Sequence, residues 1–77
     1  MSKLPILKPQ KLIKILKKMR FEKIRQEGSH IFFKHTDGRT TVVPNHPGKD
    51  ISHGLLRAIL KDIEIKPQEF QKYAQKF

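Results

Sequence analysis

Gly28-Ser29-His30-Ile31-Phe32-Phe33-Lys34-His35-Thr36-Asp37-Gly38-Arg39-Thr40-Thr41-Val42-Val43 is the stretch that decides the fold. Ile31, Phe32 and Phe33 favour extended backbone, and Thr40 to Val43 is β-branched throughout. Between them, Thr36-Asp37-Gly38-Arg39 carries the Asp-Gly pair whose backbone twist suits a tight hairpin. The segment reads as two antiparallel strands, Ser29 to His35 and Thr40 to Val43, stopped by Pro44. Successive side chains on a strand point to opposite faces. His30, Phe32 and Lys34 therefore share one face, and Ile31, Phe33 and His35 the other. One face can be core while the other presents a histidine and a lysine. Gly28 adds a flexible backbone position with no side chain to block an approaching ligand.

Outward from this hairpin, Phe21 to Glu27 reads as a further strand, although Phe21 and Ile24 differ in parity and the alternation is poor. Residues 1–8 read as an extended lead-in. Pro9 suits a first helical turn, and the helical pattern runs to about Arg20. Leu12, Ile15, Leu16 and Met19 fall on one face, opposite Lys11, Lys14, Lys17 and Lys18. On the other side of the hairpin, Asn45-His46-Pro47-Gly48-Lys49 is a loop. Asp50 or Ser52 can cap a second helix ending near Asp62 or Ile63. That helix carries a broad apolar side and a basic stripe of His53, Arg57 and Lys61. Pro67 opens a short last helix to Gln75, with Phe70 and Tyr73 available for packing. The expected fold is α+β: one domain over residues 1–77, ordered α-β-β-β-α with a short C-terminal helix. Its helices cover one face of a three-stranded antiparallel sheet and leave the other open.

Composition narrows the function. Seventeen Lys and Arg face seven Asp and Glu, a net charge of +10. Residues 1–20 carry seven of the basic residues and no acidic one. A small domain this basic attracts polyanions, nucleic acid first among them. A chain of 77 residues has a thin core and little room for a deep cofactor cavity. It has no cysteine, which excludes disulfides and thiolate metal sites and suits a reducing cytoplasm. No apolar run could span a membrane, and the N-terminus lacks the pattern of a secretory signal.

The motifs exclude much chemistry. There is no phosphate-binding Gly-x-x-x-x-Gly-Lys loop, no dinucleotide fingerprint and no His-Glu-x-x-His zinc helix. Gly28-Ser29-His30 is not a Gly-x-Ser-x-Gly nucleophile elbow. His30, His35, His46 and His53 lack a convincing metal-ligand spacing, and a His30/His46/His53 site is the weak remaining option. What is left is the chemistry of one imidazole beside bound phosphates. A histidine side chain can take or give a proton near neutral pH. RNA supplies its own nucleophile in the 2′-hydroxyl, and nearby Lys or Arg can stabilise the charge that develops at phosphorus. Neither a cofactor nor a metal is needed.

Several pieces together resemble the HicA family of mRNA interferase toxins, found in bacterial and archaeal toxin–antitoxin pairs. They are Gly28-Ser29-His30 with its aromatic strand, the Asp37-Gly38 hairpin, Val43-Pro44-x-His46, and Gly54-Leu55-Leu56-Arg57-x-Ile59-Leu60-Lys61. The resemblance runs from the Lys8–Arg20 helix through Phe70. It implies a double-stranded-RNA-binding-domain-like fold, cleavage of mRNA, and neutralisation by a HicB-type antitoxin. The family's catalytic histidine falls on His30. Gly28, Ser29, Lys34, His46, Lys49 and Arg57 are the expected RNA contacts. His46 either orients substrate or orders its loop, and Gly28 either admits the RNA backbone or simply makes the turn.

Two other readings compete. A non-catalytic RNA-binding module would show salt-sensitive affinity without cleavage. Readers of duplex RNA span about 16 base pairs with extended loops, however, and the loops of this chain are short. A protein-docking module would use Phe32 on the open face as its anchor, and is compatible with an antitoxin that covers a catalytic face.

Overall fold

The computed structural model describes residues 6–76 of the chain. Its elements are α1 (Pro9–Lys18), β1 (Phe21–Glu27), β2 (His30–His35), β3 (Thr40–Pro44), α2 (His53–Asp62) and α3 (Pro67–Lys76). The strands form one antiparallel sheet in the order β1-β2-β3, so β2 is central. This is the expected α+β, double-stranded-RNA-binding-domain-like order, with a third helix appended. That last helix is as long as the other two, at ten residues each. Of the expected lead-in, residues 1–5 lie outside the described residues; Leu7 pairs with Ile51 in an isolated bridge, with a 2.6 Å bond from the Ile51 amide to the Leu7 carbonyl.

The core follows the periodicities. Leu12, Ile15 and Leu16 of α1, Phe21 of β1, Ile31 and Phe33 of β2, Val43 of β3 and Leu56, Ile59 and Leu60 of α2 are all buried. Phe70 of α3 closes the far side, fully buried. Truncating a buried aromatic such as Phe33 to alanine typically costs about 3–5 kcal/mol, because little can collapse into the space left.

The poor alternation of β1 has a structural cause. Phe21 pairs with His35 and Lys23 with Phe33, but the next pair is Arg25 with Phe32. Ile24 is the extra residue of a β-bulge, and it is 55% exposed rather than core. Past the bulge the parity flips, so Arg25 and Glu27 stand on the open face with Phe32 and His30.

The helix ends explain two backbone outliers. Ser52, not Asp50, caps α2: its Oγ accepts the Leu55 amide at 3.2 Å. Both α1 and α2 are terminated by a left-handed residue one past the C-cap, Arg20 (φ 71°) and Glu64 (φ 58°). The Arg20 amide donates to Lys17, and the Glu64 and Ile65 amides donate to Lys61 and Leu60. Glycine usually fills this position, since a β-carbon there is strained.

Candidate active site

The site is made where the β1–β2 turn meets the loop leaving β3. Gly28 takes φ 58°, the left-handed value that the tight turn requires. A β-carbon built there would meet nothing within 4 Å, so the space above the turn is open. Gln26 Nε2 donates to the Gly28 carbonyl at 3.0 Å and holds the turn. The chain then enters β2, and His30 is its first residue, exposed and paired across the sheet with Glu27 and Pro44.

The Asn45 amide donates to the Ser29 carbonyl at 2.7 Å, extending the β2–β3 register one step past Pro44. That bond folds the following loop back over the turn. Ser29 Oγ lies 3.4 Å from His46 Nε2, with donor and acceptor set by the tautomer. The rings of His30 and His46 stand edge-on, with centroids 6.2 Å apart and planes at 82°. The Lys49 amide donates to the His46 carbonyl at 3.1 Å, so the Lys49 side chain leaves from the same small turn. Gly28, Ser29, His30, His46 and Lys49 are thereby gathered in one place.

Lys34 and Arg57 are placed otherwise. Lys34 shares the open face with His30 but stands four residues along β2, about 13 Å away, opposite Glu22 and Thr40. Arg57 lines a depression of about 390 Å³ with Lys61, Glu64 and Lys66, where no histidine contributes. A larger hollow on α3, lined by Lys66, Gln68, Glu69, Lys72 and Tyr73, likewise contains none.

Between His30 and Lys34, Phe32 is half-buried under the Arg25 guanidinium, 4.4 Å from its ring centroid. Arg25 in turn pairs with Glu27 at 3.2 Å. Ile24 and Val42 flank this ring in a shallow hollow of about 360 Å³. The arrangement could stack a base on Phe32 or Arg25 and leave its phosphate near His30. The Arg25–Phe32 pair was not legible in the sequence, because only the bulge turns Arg25 onto that face.

His35 belongs to a different environment. Its ring packs edge-on against Phe21, at 5.1 Å between centroids. Its Nδ1 lies 3.1 Å from the Asp37 amide and 3.2 Å from Asp37 Oδ1, so a neutral ring accepts from the amide and a protonated one donates to the carboxylate. Arg39 binds Asp37 through Nε at 2.8 Å, and that side-chain bond, with the Arg39 amide, holds the Asp37 carboxyl below its ordinary value. Among the described residues, no three His, Asp or Glu side chains converge as metal ligands.

No helix among the described residues is long and apolar enough to cross a membrane. A search among curated proteins finds no match to the chain. The family described as "HicA toxin of bacterial toxin-antitoxin" matches residues 9–65, from the first residue of α1 to just past the end of α2. That span is well over half of the 77 residues and contains every part of the histidine turn, so the chain belongs to the HicA toxin family, the toxin half of a pair whose other member is a HicB-type antitoxin.

Proposed function

We propose that the protein is an endoribonuclease that cuts mRNA, with His30 and His46 dividing the two proton transfers. The observation that carries this reading is the exposed, edge-on pair of imidazoles beside an open glycine turn. RNA cleavage by its own 2′-oxygen needs one group to accept a proton and one to supply it. One imidazole removes the 2′-hydroxyl proton, and the oxygen forms a bond to the adjacent phosphorus. The other gives a proton to the 5′-oxygen as the phosphorus–oxygen bond breaks. The products are a 2′,3′-cyclic phosphate and a free 5′-hydroxyl. No metal-bound water enters the balance, because the attacking oxygen is the substrate's own. His30 leads the pair because the family's catalytic histidine falls on it; Ser29 orients His46 through its hydroxyl. A HicB-type antitoxin neutralises the activity.

The test is cleavage of end-labelled single-stranded RNA in EDTA. The expected products carry cyclic phosphate and 5′-hydroxyl ends, and a 2′-deoxy sugar at the cut position blocks the reaction. His46→Ala should slow cleavage by about 10²–10⁴-fold, the usual loss when one proton-transfer group is removed. Cleavage that survives His30→Ala, or that needs added metal, overturns the reading.

A further inference from the structure

A broad cationic recess lies away from the histidines. It is a groove of about 790 Å³ where α1 turns into β1, lined by Lys17, Lys18, Arg20, Phe21, Glu22, Lys23 and Thr36. Four cations face one carboxylate there. That carboxylate, Glu22, also stands opposite Lys34 on the open face of the sheet, where Arg25 pairs with Glu27. Three of the basic residues of the first twenty, Lys17, Lys18 and Arg20, thus line a concave surface away from the catalytic turn.

Arg20 gives a second, independent reason to look there. It occupies the left-handed position that ends α1, at φ 71°, where glycine or asparagine would be unstrained. Strain kept at a position where a simpler residue would serve points from backbone to function. What arginine gains over glycine is a planar guanidinium with five donors, suited to phosphate. Lys23 spends one donor on Gln26 Oε1, at 2.9 Å, and keeps two others.

We infer that this groove is a phosphate-binding exosite that holds the backbone of the single-stranded RNA at a distance from the cut. Phe21, on its wall, pairs with His35, five residues along β2 from His30, which sets the separation at about 17 Å. A strand anchored in the groove runs beside the open face, past Phe32, before reaching His30. The inference takes RNA as ligand from the reading above but does not depend on cleavage.

The test uses fluorescence anisotropy with 2′-O-methyl RNA, which cannot be cut. One strand is long enough to span both sites and one is too short. Arg20→Gly and Lys23→Gln should each weaken the long strand and lower its salt slope by ~0.7 per cation, the value for one single-strand phosphate contact. The short strand, held at the histidine turn, should be unaffected. Arg20→Gly should melt no lower than wild type, since it relieves the left-handed strain, so lost affinity cannot be lost folding. Lys66→Gln and Lys72→Gln remove equal charge elsewhere and serve as controls. Equal losses in those controls, or equal losses for both strand lengths, overturn the exosite. If the groove variants behave as expected but no RNA is cut, the exosite stands and the nuclease assignment falls. Cleavage lost with His30→Ala beside groove variants that bind like wild type gives the reverse.

Discussion

The two ends of β2 each carry a histidine, and the two are surrounded in opposite ways. At one end, His35 is packed edge-on against Phe21, bonded to Asp37 and fastened into a network that reaches another element. Arg39 grips Asp37, lies over the Phe21 ring at 5.2 Å, and donates Nη1 to the Ile63 carbonyl at the end of α2. Beside it, Thr41 Oγ1 lies 3.2 Å from Asp62 Oδ2. At the other end, His30 is exposed, and its ring meets the edge of a second imidazole carried on a loop. The same residue type on one strand is structural where its donors and acceptors are consumed by the fold, and available for chemistry where they are left facing solvent. Identity does not decide between these; the neighbours do.

The contrast breaks most sharply if the two histidines are exchanged in role. His30→Ala should lower the cleavage rate by ~10²–10⁴-fold while leaving the melting temperature near wild type. His35→Ala should do the reverse, costing about 0.5–1.5 kcal/mol from the lost aromatic pair and sparing cleavage by the folded fraction. A thermal melt run beside the RNA assay decides both. Equal damage to activity from the two variants would dissolve the distinction.

Arg39→Ala tests the fastened end alone. It removes the donor to the Ile63 carbonyl, which is part-buried, and should destabilise by about 1–3 kcal/mol in a urea titration. Arg39→Lys should recover little, because a lysine cannot span the carboxylate and the helix end together.

Gly28 sharpens the open end. Gly28→Ala should cost roughly 1–2 kcal/mol through its φ of 58° alone, since its β-carbon meets nothing. Asparagine tolerates that backbone better, so Gly28→Asn separates the two uses of the glycine. If the RNA backbone passes over the turn, Gly28→Asn melts close to wild type and cuts poorly. Normal cutting would leave only the turn requirement.

The smallest effect belongs to Asp37. Its carboxyl is held below the ordinary value of 3.8, so it stabilises the folded chain above that range and loses the contribution as pH falls through its lowered folded value. The melting difference between wild type and Asp37→Asn should be greatest near neutrality and vanish in strong acid. A difference that grows on acidification would contradict the pairing.

Much of this was legible in the sequence. The Asp37-Gly38 hairpin, the alternation of β2 and the apolar stripes of α1 and α2 each follow from a local rule, and each forms as read. The His30–His46 approach was not, because it depends on one backbone bond from Asn45 to Ser29 across the sheet. Nor was the Arg39 clamp, whose partner is a backbone carbonyl 24 residues away and leaves no mark in side-chain composition. Arg57 was grouped with the site because a basic helical stripe fits any phosphate; the fold gives it Lys61 and Lys66 as neighbours instead. The misfit of Ile24 was a true signal, since broken parity is how a bulge appears in a sequence.

That bulge also bears on how the molecule behaves in a crowd. β1 is an outer strand, with half of its backbone hydrogen-bonding groups facing away from the sheet. An incoming chain would have to keep the strand's regular spacing along its whole length, and the extra residue at Ile24 interrupts that spacing midway. Lys23, Arg25 and Glu27 add charge along the same border. The irregularity that swings Arg25 over Phe32 therefore also discourages copies of this toxin from zipping together, strand against strand.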